Sequence, residues 1–417
     1  MRVGLSPAPA DRTRRRRHVW AAGCIAAWSL TVLWCAVAVV PLDVYWMSYY
    51  AADYAHGFVR RGLAGEVAGL IPGHYFGVTL GLRWLSTVAC LSGLVTLAWL
   101  VLGRRPWSER RMLVALLIPL LPFGVPFAAY SARPDLFGGA ALAFFAAALS
   151  FARSGAAATA CCAAYGVTTA ALTLVHEAVG LQFALGAVLV TVVVGGPLRT
   201  APGRGVLLAV LPGAGTATGV AVFGRHDVAA QLCSAVPHHT LPNPFATVTS
   251  PGTLLRFVID GRPRQTDYHD WVCRNVLPSF DHSIVDAIHS VGHIGPVGLT
   301  MSFVFGAAAV AVTLWGVSAV SGVPVRAFTE ALRGRAAWVL VGLALIVPVF
   351  LTGYDWTRWL TIVAFDVGVA FLPFAARRPE IDQDLSPKAL RAFRFLAVGL
   401  ALIPIGAVPG FGGPLMV

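Results

Sequence analysis

Residues 12–46 read "RTRRRRHVWAAGCIAAWSLTVLWCAVAVVPLDVYW": a basic cluster, an uncharged apolar run, then an acid among aromatics. A helix needs about 20 apolar residues to cross the roughly 30 Å hydrocarbon core of a bilayer. Residues 19–41 supply that length. The run is too long for the apolar stretch of a secretory signal, and no small-residue cleavage site precedes "PLDVYW". It reads as a retained anchor. Lys and Arg favour the cytoplasmic side of a span, so the cluster holds the N-terminus inside and Asp43 emerges outside.

Similar runs recur at 78–102, 112–130, 136–152, 156–175, 178–195, 205–223, 296–318, 336–352, 358–375 and 393–410. The composition, 57% hydrophobic and 12% charged with a mean hydropathy of +0.73, is that of a membrane protein. The expected fold is all-α, a polytopic membrane helical bundle of eleven spans with the C-terminus outside. A single membrane domain covers 1–417, with a basic cytoplasmic tail at 1–18, a first outer loop at 42–77 and a large outer loop at 224–295. Threaded this way, most of the 31 Lys and Arg face the cytoplasm, while most of the 19 acids and every histidine but His18 face outward. The net charge of +12 is therefore a topology signal and not a nucleic-acid footprint. The expected location is the plasma membrane, multi-pass, with the chemistry on the extracytoplasmic face.

The first outer loop, "PLDVYWMSYYAADYAHGFVRRGLAGEV" (41–67), gathers Asp43, Asp53, His56, Arg60, Arg61 and Glu66 among tyrosines and a tryptophan. Asp43 has two readings: a cap for the segment that follows, or a general base that deprotonates an acceptor hydroxyl. Asp53 is the second candidate base. An outward basic pair runs against the charge bias, so Arg60 and Arg61 either fork a phosphate or pair with Glu66. "TLVHEAVG" (173–180) puts His176 and Glu177 at a span end, but Gly180 stands where an HExxH zinc site needs its second histidine. A metalloprotease is ruled out, and ionisable residues at such a rim are functional or paired. "SARPDLF" (131–137) adds Arg133 and Asp135. "GYDWTRW" (353–359) adds Asp355 and Arg358, close enough on a helix to pair, with Trp356 and Trp359 as an interfacial belt or a sugar platform.

In the large loop His282, Asp286, His289 and His293 share one helical face, a metal stripe or a solvated surface. Cys233 and Cys273 are the only outer-loop cysteines. Outside the cytoplasm they can form a disulfide; two free thiols are the other reading. No CxxC spacing supports zinc. The other five cysteines lie in apolar runs, as small hydrophobes do. Asp366 sits within a span and is expected to pair inside the bundle. No Gly-rich phosphate loop is present, and neither a cofactor nor a metal is called for.

Outer acids, arginines and aromatics directly after the first span resemble the GT-C superfamily of membrane glycosyltransferases. Those enzymes place a catalytic acid in the first outer loop beside short juxtamembrane helices and use polyprenyl-phosphate-linked sugars. The likeness rests on Asp43 in the catalytic-acid position, with "FVRRGLAGEV" (58–67) completing the loop. It departs in lacking an adjacent acid pair after the first span, which leaves Asp43 and Asp53 both open as base. No WWDYG-like stretch of the oligosaccharyltransferases occurs. The resemblance implies transfer of a sugar from a lipid-linked donor to a cell-envelope glycan or glycolipid acceptor, among membrane lipids and without a nucleic-acid partner. A polysaccharide polymerase or ligase would instead rely on His176 and Glu177. A transporter or flippase would carry its polar groups nearer the midplane.

Overall fold

The computed structural model describes residues 9–103, 108–198, 202–244 and 263–407, with side chains from residue 16 onward. Residues 1–8 of the basic tail, Arg104 and Arg105, residues 245–262 of the large loop and the end of the last apolar run lie outside the described residues. The chain is mostly helical, at 78%. Helix α1 (Pro9–Trp34) continues as a π-helical turn to Val39 and is followed by the short α2 (Asp43–Met47) and α3 (Gly62–Gly69). Then come α4 (Tyr75–Leu102), α5 (Glu109–Leu117), α6 (Val125–Tyr130), α7 (Asp135–Phe151), α8 (Gly155–Val175), α9 (Val179–Gln182), α10 (Ala184–Val193) and α11 (Pro202–Phe223). Helix α12 (Ala229–Ala235), strands β1 (Thr240–Asn243) and β2 (Arg264–Asp267), α13 (Tyr268–Asn275) and α14 (Ile284–His293) make up the large loop. The last part is α15 (Gly295–Ser321), α16 (Val325–Ala331), α17 (Ala336–Thr352), α18 (Trp356–Ala375) and α19 (Pro387–Leu402).

Helix starts follow from local chemistry, because a side-chain oxygen satisfies an otherwise orphaned backbone N–H. Ser108, Ser154, Asp355 and Ser386 each accept from the amide three residues on. Along α4, Leu85, Val88 and Val95 stay exposed, as lipid-facing positions should, while Arg83, Ser86, Thr87 and Leu97 turn inward.

Among the described residues eight helices are long and apolar enough to cross a membrane, or nine if α16 and α17, bent by 102°, form one span. Two of the eleven expected spans fall short of that length. Helix α7 has 17 residues, about 25 Å at 1.5 Å per residue; α9 and α10 are separated by a break at Phe183. Both belong to the interior. All ten residues of α10 are buried, and it packs on α7, α11, α17 and α18.

Contacts sort the connections into two faces. On one face Ser108 donates to the Ile381 carbonyl, and Arg110 donates to the carbonyls of Ser321 and Asp384. There Arg111 also grips the Asp382 carboxylate and the carbonyls of Val101 and Ala376. The first loop, residues 131–135, 176–177 and 353–358, and the described part of the large loop meet on the other. The large loop is built as a cap. Strands β1 and β2 pair antiparallel with Thr240 opposite Asp267, and a disulfide joins Cys233 of α12 to Cys273 of α13. A separate apolar core, with Met47, Val59, Val228, Leu232, Tyr268, Val272 and Phe280, binds cap to first loop.

Candidate functional site

Asp43 opens α2 at the foot of the first loop, where its Oδ1 lies 3.3 Å from Arg83 Nε. Arg83 is an arginine inside an apolar helix, 1% exposed, with its guanidinium over the Trp84 ring. Its only hydrogen bond among the described residues is a long one, 3.4 Å, from Nη2 to the Ala129 carbonyl; Nε faces the Asp43 carboxylate and Nη1 has no hydrogen-bond partner there. Burial pushes the Asp43 carboxyl above its ordinary value, against the opposing pull of Arg83.

Four further segments meet beside this pair. Arg358 of α18 bonds Asp135, which opens α7, and reaches Asp355 at 3.0 Å. Arg133 bonds the same Asp355 oxygen at 3.3 Å and donates to the Tyr45 hydroxyl at 3.0 Å. The hydroxyls of Tyr45 and Tyr49 are 3.2 Å apart, the Arg61 guanidinium lies over the Tyr49 ring, and His176 stacks on its plane. Arg61 then holds Glu177 in a two-point fork at 2.6 and 2.8 Å. Burial pushes the Glu177 carboxyl up, but Arg61, with His176 and Arg60, outweighs it and holds the group well below the usual range. Asp355 follows the same pattern: Arg358 and Arg133 outweigh burial and hold it low. Burial lowers His176 to about 4, so its imidazole is neutral at physiological pH. The ring's Nδ1 has no hydrogen-bond partner among the described residues.

The cap closes over this cluster. Arg60 donates to the carbonyl and hydroxyl of Ser279 at 2.5 and 2.7 Å and lies over Phe280. Trp271 of α13 meets Tyr45 edge-on, and Tyr268 shares a 2.9 Å hydroxyl contact with Tyr75. Arg225 donates to the His56 carbonyl at 2.6 Å. Beneath the cluster the enclosed space lined by Cys90, Phe127, Asp135 and Phe365 is about 10 Å³, far smaller than a ligand pocket.

Arg60, Arg61, Arg133, Asp135, His176, Glu177, Asp355 and Arg358 are thus brought together, with Asp43 beside them. Other expectations are corrected. Glu66 does not pair with the arginines; it is exposed and accepts the Tyr54 amide at 3.0 Å. Arg61 is turned from it by a left-handed backbone (φ 61°) at the start of α3, and α3 packs on α8, which carries Glu177 at its end. Gly62 and Gly65 permit α3 to lie flat on the loop, because a Cβ there would strike the Tyr54 ring and the Ala52 carbonyl. Asp53 accepts the Ala55 amide in a local turn, which leaves Asp43 as the acid facing the cluster. Trp356 donates its indole N–H to the carbonyls of Phe350 and Gly353 at the α17–α18 turn. The His282–His293 face is solvated, with Asp286 spent in a capping box with Ser283. Asp366 is fully buried without any hydrogen-bond partner among the described residues, against Gly186. Sequence reasoning missed Arg83, although a lone arginine in an apolar run signals a paired or functional group. It also missed Tyr45, Trp271 and Ser279 as partners, because the contacts Tyr45–Arg133, Arg60–Ser279 and Tyr45–Trp271 cross 88 to 226 positions of chain and leave no local pattern.

No solved structure matches this chain. Two relatives, Uncharacterized protein Rv1490 of Mycobacterium tuberculosis and Uncharacterized protein Mb1527 of Mycobacterium bovis, are each 37% identical over 401 residues, covering 96% of this chain and 92% of theirs. The model of the family described as uncharacterised membrane protein Rv1490 matches residues 18–401, in agreement with the spans and the buried bundle described above. The chain belongs to the Rv1490 family of membrane proteins.

Proposed function

We propose that this chain is a plasma-membrane glycosyltransferase of GT-C type with eleven crossings and the charge cluster on the extracytoplasmic face. It would move a sugar from a polyprenyl-phosphate donor to an envelope glycan or glycolipid. One observation carries the proposal: Asp43, a half-buried acid ending the first span, stands 3.3 Å from the Nε of a buried arginine whose Nη1 has no hydrogen-bond partner among the described residues. A buried guanidinium lacking partners is costly, and a phosphate supplies the missing acceptors in a forked geometry. The short helices α2 and α3 beside Asp43 further support the resemblance.

In this chemistry the Asp43 carboxylate accepts the proton of the acceptor hydroxyl as its oxygen attacks the anomeric carbon. The bond from that carbon to the phosphate oxygen breaks, and the electron pair leaves with the lipid phosphate. Arg83 and Arg60 hold the departing charge, as preorganised donors do in electrostatic catalysis. Arg61, spent on Glu177, positions the loop. A carboxyl raised by burial is a better proton acceptor than an exposed one. Since the enclosed space is small, substrate enters by displacing the cap.

A second observation favours lipid-linked glycan polymerisation or ligation: His176 is a neutral imidazole with an unpartnered Nδ1, which suits a general base. Both are tested with the protein in nanodiscs and a panel of polyprenyl-phosphate sugars, by measuring acceptor-dependent release of polyprenyl phosphate. Asp43→Asn is expected to lower turnover by about 10²–10⁴ while lipid binding persists. Full turnover in Asp43→Asn together with its loss in His176→Gln would transfer the base to His176.

A further inference from the structure

Away from the charge cluster, the cap brings four ligand-type side chains to one point. We propose that His238, Asp267, His269 and Asp270 form a divalent-cation site of the zinc class. One donor atom from each lies within 4.8 Å of all the others. His238 Nδ1 is 3.3 Å from Asp267 Oδ1, and His269 Nδ1 is 3.3 Å from Asp270 Oδ1. A tetrahedral zinc with arms of about 2.0–2.1 Å sets its donors about 3.3 Å apart, so two edges of the tetrahedron already have their length. The two imidazoles lie face to face with centroids 4.0 Å apart. Two small polar rings on an exposed surface gain little from stacking alone, and a shared cation gives four donors a reason to converge.

Backbone structure fixes the set beforehand. The β1–β2 register places Asp267 opposite Thr240, and Tyr268 N–H extends the ladder to the His239 carbonyl. Asp267 caps α13 by accepting the Asp270 amide, which fixes its carboxylate at the start of the helix. The neighbouring disulfide pins the same helix, with Cys233 Sγ 3.8 Å from His269 Nε2. Two imidazoles disfavour calcium and magnesium, and two carboxylates disfavour copper(I). The Asp270 carboxylate also holds Arg274 at 3.0 Å, which offsets part of the negative charge without filling the other oxygen.

The ion would clamp the first turn of α13, the helix that carries Trp271 against Tyr45. It would therefore hold the cap shut over the charge cluster, whatever reaction that cluster performs. The test uses the full chain in detergent with its disulfide intact, stripped of metal by a chelator and titrated with zinc by calorimetry. One equivalent is expected to bind. His238→Gln and Asp267→Asn should each weaken binding at least about tenfold, since even outer-sphere partners of a metal are worth 10- to 100-fold. Asparagine still caps a helix, so Asp267→Asn removes the ligand charge without removing the cap. Alkylation without prior reduction checks that the disulfide forms in each variant. His289→Gln, on α14, should bind as the parent does. Absence of stoichiometric binding, equal affinity in the ligand variants, or equal loss in His289→Gln would overturn the site.

Discussion

At the scale of single residues, the cluster depends on pairing, and pairing decides which substitutions matter. Removing one partner of a buried ion pair leaves the other charge uncompensated. Glu177→Gln strands Arg61 and should cost about 2–3 kcal/mol, below the fully buried range because both side chains keep some exposure. Glu66→Gln, on the surface, should stay within about 0.5 kcal/mol. Thermal melts in detergent compare the two; equal losses would return Arg61 to Glu66. His176 supplies a pH test. Its proton binds in the unfolded chain near 6.5 but in the folded chain only near 4, so the unfolded state binds more protons between those values. Stability therefore falls as pH drops from about 6.5 to 4, by about 3 kcal/mol. His176→Gln should flatten that part of the profile, whereas the low carboxyls of Glu177 and Asp355 lose their contribution further down the acid range. The residue types were legible in the sequence because each stood near a span end. Their partners were not: Arg61 had an acid five positions away in Glu66, yet bonds one 116 positions away.

At the scale of elements, hydropathy alone picks out the eight described helices long and apolar enough to cross a membrane, since length and composition define a span. It could not separate a short helix enclosed by the bundle from one that faces lipid. Helix α10 is apolar because neighbours bury it on all sides, and a lipid environment would select the same residues. The cap was harder to read, because its order comes from the β1–β2 ladder, the disulfide and an apolar core shared with the first loop, none of them periodic over many residues. The Cys233–Cys273 bridge closes a separation of 40 residues, which on chain entropy stabilises by about 3–4 kcal/mol. Cys233→Ser with Cys273→Ser should lower stability by that order, and should raise protease cleavage within the cap before cleavage in the bundle. Uniform loss across both regions would show that the cap has no separate stability.

Over the whole molecule, the alternation of short loops between two faces is what the basic residues anticipate. Arg110, Arg111, Arg335 and Arg377 belong to one face, where they bond helix C-terminal carbonyls and Asp382. Arginines on the other face are engaged differently: Arg61, Arg133 and Arg358 pair with acids, and Arg60 and Arg83 hold carbonyls beside Glu177 and Asp43. The excess of Lys and Arg in short loops on one side orients a membrane protein. The five arginines of the cluster itself each lie beside an acid of the same face. Labelling with a membrane-impermeant maleimide tests this directly. His226→Cys, exposed at the start of the cap, should react in intact cells. Gln383→Cys, exposed beside Asp382 and Asp384 on the opposite face, should react only after permeabilisation. Reporters after Arg105, Gly261 and Val417, positions outside the described residues, should read inside, outside and outside. Reaction of Gln383→Cys in intact cells with protection of His226→Cys would invert the molecule. The cluster would then face the cytoplasm, and a donor presented on the outer leaflet could not reach Asp43.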